Sequence, residues 1–273
     1  MKRTKVLQRV LFSLGAVLAA LYAFPFVLVL LNSVKEKRAI RNDPMGLPTE
    51  WLWENYAKAI QRMDYWVALF NSILITVTSV TAIIITSSML AYYLARSNTR
   101  FSSVTFLILV ASMIVPFQAL MLPFVGLFGD MVAVAAQASL VFFYVGFGVA
   151  MSTFLYHGFI KNIPFELDEA AAIDGASPFV IFRRIIFPML GPVTATVAII
   201  NALWIWNDYL LPRLVLIDDE RTLPLRTYVF YGTYTSDYGL AMAGLVISII
   251  PIVAFYFVMQ RQIIAGVSAG AVK

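Results

Sequence analysis

The sequence contains no cysteine, which excludes disulfides, zinc–thiolate sites and thiol chemistry. It has a single histidine, His157, too few for a histidine-based metal site, and no bound metal is expected. Charge is scarce: Asp, Glu, Lys and Arg together make up 13% of the 273 residues. No G-x-x-x-x-G-K-[ST] loop for nucleotide phosphates occurs, and no H-E-x-x-H or G-x-S-x-G. Nor do two carboxylates pair in an apolar setting. The chain is therefore expected neither to hydrolyse ATP nor to act as an enzyme. The long apolar runs also lack internal charge, Asp208 near the end of one run apart. Ion-coupled secondary transporters and channels, the alternative from a different class, place ionisable residues inside their spans as relays. No internal repeat or low-complexity segment is found.

What is present is apolar. Hydrophobic residues make up 61% of the chain and mean hydropathy is +0.83, whereas soluble domains are about 45–50% apolar. The net charge of +5 comes from bases that flank apolar runs, so it reads as membrane topology rather than nucleic-acid binding. About 20 apolar residues cross a bilayer as a helix, and six runs qualify: 10–31, 67–94, 101–125, 138–159, 191–211 and 240–259. The expected fold is an all-α polytopic membrane protein forming one transmembrane domain over residues 1–273. The start resembles a signal peptide, with Lys2, Arg3, Lys5 and Arg9 before the first run. That run is longer than the 7–15 residues of a signal h-region, so it reads as a retained span.

Between the first two runs lies a polar loop, 32–66, with a short surface helix expected near Trp51–Met63. Trp51, Trp53 and Trp66 read as interfacial anchors. Placing the N-terminus inside puts eleven of the 20 Lys and Arg residues on the inner side. Lys35, Lys37, Arg38 and Arg41 argue against that orientation. The basic Ser97–Arg100 link, set against a 128–137 connection carrying only Asp130, argues for it.

One polar segment stands apart: residues 161–190, reading KNIPFELDEAAAIDGASPFVIFRRIIFPML. Pro164 suits a first helical position. Glu166, Asp168 and Glu169 suit the positive end of a helix dipole. Gly175 suits a left-handed C-cap, and Ser177-Pro178 suits the start of a second helix. The pattern predicts two short helices hinged at Gly175 beside a membrane. Within the spans, Gln118, Asn71, Asn201 and Asn207 offer amides, and Trp204 and Trp206 offer ring faces. Such groups suit an uncharged, polyhydroxylated solute, and they equally suit gluing helices together.

Glu169-Ala170-Ala171, Gly175 and Ile186-Phe187-Pro188 resemble the "EAA…G…I-x-L-P" loop of importer-type ABC-transporter permease subunits, with Phe187 where Leu is usual. The C-terminal Q-R-x-x-x-x-G-x-x-x-G-A-V-K, the Ile205–Tyr209 stretch, and Asn55-Tyr56 ahead of Asn71-Ser72 resemble the carbohydrate branch. The likeness is to the six-span second permease of maltose-type transporters. It implies a type I importer fold whose 161–190 loop is a cytoplasmic coupling helix. Glu169, Ala170, Ala171, Asp174 and Gly175 would contact an ATPase, with Gln260, Gly266 and Gly270 of the tail reaching the same partner. It also implies a heterodimer with a second permease, two ATPase subunits that bind ATP and Mg²⁺, and an extracytoplasmic solute-binding protein. The chain itself would carry no cofactor. The implied function is ATP-driven import of a sugar or oligosaccharide, the alternative being glycerol phosphate or a polyol. Gln118, Asn201, Trp204 and Asn207 are the candidate pathway residues. The implied location is a bacterial or archaeal cytoplasmic membrane with both termini inside.

Overall fold

The uncharged run after Arg9 forms one continuous helix, α1 (Lys2–Ser33), which tolerates Pro25 internally. The structure, a computed structural model, describes residues 2–231 and 237–271, with the side chains of 2–7, 9, 122, 125, 218 and 261–271 outside that description. Every element in the described residues is helical: α2 (Lys37–Asn42), α3 (Glu54–Arg62), α4 (Tyr65–Arg96), α5 (Arg100–Ser112), α6 (Phe117–Val134), α7 (Ala136–Ile160), α8 (Glu166–Ile173) and α9 (Pro178–Ile181). A π-helical turn (Phe182–Ile186) joins α9 to α10 (Phe187–Met189), followed by α11 (Gly191–Asn207), α12 (Leu210–Val215), α13 (Leu223–Arg226) and α14 (Tyr238–Ala271).

Among the described residues, four helices are long and apolar enough to cross a membrane, α1, α4, α7 and α14. A fifth arises if the bent pair Pro178–Met189 and Gly191–Asn207 is one span. The third expected run, 101–125, is two helices. Pro116 sits extended at φ −71°, ψ 137° as the N-cap of α6, and its ring disfavours helical geometry at Val115 before it, so the two helices do not merge. Pro123 is absorbed inside α6. The expected 128–137 connection is likewise mostly helix, with Ala135 alone between α6 and α7, and Asp130 exposed on α6. The run 191–211 stops early, where Asp208 turns extended at ψ 132° after Asn207.

Contacts divide the chain into two compact units, residues 1–66 with 225–251, and 67–224 with 252–273. In the first unit, Asn55 Nδ2 donates to the carbonyls of Ser33 (3.0 Å) and Lys35 (3.2 Å). Tyr65 Oη donates to Ile247 O at 3.2 Å, and Arg226 pairs with Asp64 at 3.2 Å. Lys35, one of the bases that weighed on orientation, is buried with Nζ donating to Asp43 O. Trp51, Trp53 and Trp66 are all exposed, and Trp51 stacks on Trp53 at 5.9 Å.

In the second unit, Ile83 of α4, Gly148 of α7 and Asn201 of α11 meet. A Cβ on Gly148 would lie 2.6 Å from Ile83 Cδ1 and 2.9 Å from Asn201 Oδ1. Asn201 Nδ2 donates to Ser152 Oγ (3.0 Å) and to Val197 O (2.8 Å). Small residues that let helix backbones approach, sealed by a polar contact, are the usual glue between helices in lipid.

A side chain at Gly148 has nowhere to go. Gly148→Leu is expected to cost about 1–3 kcal/mol by overpacking and to lower the melting temperature of the detergent-solubilised chain. Gly146, two residues away with nothing within 4 Å of its would-be Cβ, is expected to accept Ala without loss. Equal effects at both positions would contradict this packing.

Candidate functional site

The segment after α7 is built around an eight-residue helix that is almost bare. In α8 only Asp168 and Ala171 are buried, while Glu166, Leu167, Glu169, Ala170, Ala172 and Ile173 are exposed. Its first turn holds three acids, Glu166, Asp168 and Glu169, at the end of the helix that favours negative charge. Pro164 stands one residue before the Phe165 N-cap rather than at the first helical position, and the helix is opened instead by the Asp168 and Glu169 amides donating to Phe165 O.

The C-terminus of α8 is a Schellman turn. Ala176 N donates to Ala171 O and Gly175 N to Ala172 O, both at 3.0 Å, which caps the last carbonyls. The motif needs a left-handed residue, and Gly175 has φ +82°. Ser177 follows at the N-cap of α9 without a side-chain capping bond, with Pro178 in the first turn. The π turn then adds one residue to the helix around Arg183 and Arg184, both exposed. Such turns are frequent at functional sites. The chain bends by 78° between Pro178–Met189 and α11.

What ties α8 to the second unit is a clamp that sequence reading missed. Arg96, in the last turn of α4, pairs with Asp168 at 2.9 Å, their side chains only 14% and 7% exposed. Tyr92 Oη donates to the other Asp168 oxygen at 2.7 Å. Both Arg96 Nη atoms donate to Ile163 O at 3.2 Å, and the guanidinium lies 5.5 Å from the centre of the Phe165 ring. One arginine therefore grips the entry turn and the first turn of the helix. Removing either member of a buried pair leaves an uncompensated charge, a loss of about 3–5 kcal/mol. In sequence Asp168 is one of three acids suited to the helix dipole, and nothing local separates it from Glu166 and Glu169.

The expected contact residues divide accordingly. Glu169, Ala170, Asp174 and Gly175 face outward, whereas Ala171 faces in. Beside Glu169 and Ala172 opens an apolar hollow of about 550 Å³ whose walls include Met89, Tyr93, Phe179 and Phe182.

The candidate pathway residues are not gathered in one place. Asn201 is buried and committed to Ser152 and its own helix, which makes it a packing residue in this arrangement. Gln118 and Asn207 are exposed, and Asn207 Nδ2 donates to Leu203 O. Trp204 is 40% exposed and meets Tyr144 edge-on at 5.4 Å. Tyr144 Oη in turn donates to Asp208 Oδ2 at 3.0 Å. A second hollow of about 430 Å³ is walled by Phe124, Phe128, Phe142, Phe143 and Phe147, with Ser112 supplying a hydroxyl. It is too apolar to hold a polyhydroxylated solute, which would leave its hydroxyls unpaired. In the tail, α14 runs unbroken past Gln260 through Gly266 and Gly270. Gln260 Nε2 donates to Phe257 O at 2.9 Å, and the side chains beyond it lie outside the described residues.

Comparison with known proteins places this geometry. Residues 83–268 match the family described as binding-protein-dependent transport system inner membrane component. The chain is 43% identical, over 100% of both chains, to the "Probable starch degradation products transport system permease protein AmyC" of Thermoanaerobacterium thermosulfurigenes. It is 37% identical to the "Multiple sugar-binding transport system permease protein MsmG" of Streptococcus mutans, over 97% of this chain and 95% of that one. Among solved structures, a chain of a bacterial ABC transporter involved in import of the acidic polysaccharide alginate has the same fold. Its TM-score is 0.79 at 22% identity, over 96% of this chain and 98% of that chain. An all-helical chain with several membrane-length helices, an outward-facing EAA helix and a family match over most of its length belongs to the binding-protein-dependent transport system inner membrane components, the permease subunits of ABC importers.

Proposed function

We propose that this chain is one of two permease subunits of an ATP-driven importer that carries a neutral sugar or oligosaccharide into the cell. The observation that carries the reading is the α8 surface. A helix capped at its C-terminus, clamped on one face and bare on the other, presents Glu169, Ala170 and Asp174 beside an apolar hollow. That is a surface shaped for another protein. The match to sugar permeases over the whole chain length supports the substrate class. So does the lack of Lys or Arg within the membrane-length runs, which disfavours glycerol phosphate.

In this reading the 161–190 loop and both termini lie in the cytoplasm. A second, related permease completes the pathway, and two ATPase subunits dock on the coupling loops. The exposed Gln118, Trp204 and Asn207 line the route, while Asn201 braces α11 behind them. The α14 extension carrying Gln260, Gly266 and Gly270 reaches the ATPase. A solute-binding protein delivers the sugar from outside. ATP and Mg²⁺ belong to the ATPase subunits; this chain supplies rigid-body transmission, passing on the differential affinity of the ATPase for two arrangements of the loop.

The test is uptake into proteoliposomes holding the full complex, with maltotriose, raffinose, sorbitol and glycerol phosphate as solutes. ATP-dependent uptake of the oligosaccharides is expected. Uptake of glycerol phosphate or sorbitol alone would reassign the substrate, and uptake without ATP would point to a secondary transporter.

Two substitutions probe the dock. Glu169→Lys reverses charge on the bare face and is expected to lower coupled uptake or ATPase retention by about tenfold, ~1.4 kcal/mol of docking free energy. A variant that assembles and transports at the wild-type rate would remove Glu169 from the interface. Gly175→Val meets no steric obstacle, since nothing lies within 4 Å, yet it imposes φ > 0 on a β-branched residue, at ~1–2 kcal/mol or more. Loss of coupling by Gly175→Val with retention by Gly175→Asn, which tolerates that conformation, is expected from the same assay. Equal loss by both would deny that backbone conformation is the cause.

A further inference from the structure

The same helix that clamps α8 holds a second polar anchor near its other end. Asn71 and Ser72 of α4 are buried. Asn71 Nδ2 donates to the carbonyls of Asp219 (3.0 Å) and Arg221 (3.4 Å), and the Leu223 amide donates to Ser72 Oγ at 2.8 Å. Gln137 Nε2 fixes the Asn71 amide by donating to its Oδ1 at 3.2 Å. From Asn71 to Arg96 is about 37 Å along a helix rising 1.5 Å per residue.

The shaft between the anchors is stiff. Among helices longer than α5, α4 alone contains neither proline nor glycine, the usual causes of kinks. Three of its hydroxyls are satisfied within the helix itself, Thr78 bonding back to Leu74 O, Thr86 to Ala82 O and Ser87 to Ile83 O. Halfway along, Ile83 seats against Gly148.

We propose that α4 is a strut that makes the coupling helix and the 219–223 segment move as one body, carrying displacement of α8 to the opposite face of the membrane and back. The inference deepens the importer reading and rests on it. It assigns Tyr92, Arg96 and Asp168 as positioning residues at one end, and Asn71 and Ser72 at the other. The attachments are a buried ion pair and hydrogen bonds to backbone, which do not slide as apolar surfaces do. An anchor at each end of one element couples displacement at one end to the other.

The chain has no cysteine, so two introduced ones carry spin labels cleanly. Labels at Ile173→Cys and Ile217→Cys, both exposed, are measured in the full complex without nucleotide and in the vanadate-trapped state. Their separation is expected to change by less than one helical turn, about 5.4 Å, and to broaden or shift once Asp168→Asn is added. In parallel, maltotriose-loaded binding protein is added and the stimulation of ATP hydrolysis is recorded as a ratio to the unstimulated rate. Asp168→Asn and Asn71→Ala are each expected to lower that ratio about 5-fold or more. The double variant should be no worse than the more severe single one, because both cut the same strut, and Asp168→Glu should restore part of the ratio.

Three results would overturn the proposal: a label separation that changes by more than a turn in the unsubstituted background, an unchanged ratio in Asn71→Ala, or effects of the two variants that multiply independently. Loss of the ATPase from Asp168→Asn complexes with no rescue by Asp168→Glu would reduce the clamp to a structural role and equally overturn it. Failure of the unsubstituted complex to take up any sugar would instead strike the sugar reading, and the label separation would still decide the strut.

Discussion

A bilayer offers no hydrogen bonds, and most of this structure follows from that constraint. Every backbone group within a span has to be satisfied inside the chain, so the long runs are helices and their polar side chains turn back on them. The hydroxyls of α4 bond to carbonyls one turn earlier, and Asn207 does the same with its amide. Where a side chain can satisfy a second helix it does so from a buried site, as Asn201 does with Ser152. The exposed apolar side chains of α1, Phe12 and Tyr22 among the barest, are the other face of the same rule: only lipid or another apolar protein surface can cover them.

Against that background the coupling segment concentrates the directional chemistry. Three ion pairs illustrate the difference in weight. Lys58–Glu54 spans one turn of α3 with both side chains more than half exposed, an arrangement worth about 0.3–0.5 kcal/mol. Arg226–Asp64 is buried at one end only. Arg96–Asp168 is buried at both, and that is where disruption is costly. Arginine rather than lysine fits the position because its planar fork serves the Ile163 carbonyl and the Asp168 carboxylate together, and can lie over the Phe165 ring.

The legible parts of the sequence were those set by local chemistry. Asp-Gly at 174–175 after an alanine-rich helix is enough to place a left-handed cap, and the cap is there. Uncharged runs of membrane length located α1, α4, α7 and α14. Two prolines in the run 101–125 were visible, but their effects differ by context that no window of sequence contains: Pro116 stands at the start of a helix and Pro123 lies within one. The clamp was invisible for a stronger reason. Arg96 and Asp168 lie far apart in the chain, each has an adequate local explanation as a charge matched to a helix dipole, and only burial of both separates them from Glu166 and Glu169. Asn201 shows the reverse. An amide in a span suits a sugar or a neighbouring helix equally, and only the fold shows Asn201 bonded to Ser152 beside the close approach at Gly148.

The bareness of α8 then acquires a reason. Eight residues with two buried positions cannot hold a helix in isolation, since nucleation is unfavourable and isolated helices below about 12 residues are marginal. A docking helix that formed only on contact would lose affinity to the ordering of its backbone. Here the order is supplied in advance and from behind: the Schellman turn fixes one end, Arg96 fixes the other, and neither uses the side chain of Glu169, Ala170 or Asp174. The face left free is therefore rigid before any partner arrives. A push on that face acts on a helix already fastened to α4, where a loosely attached loop would absorb it.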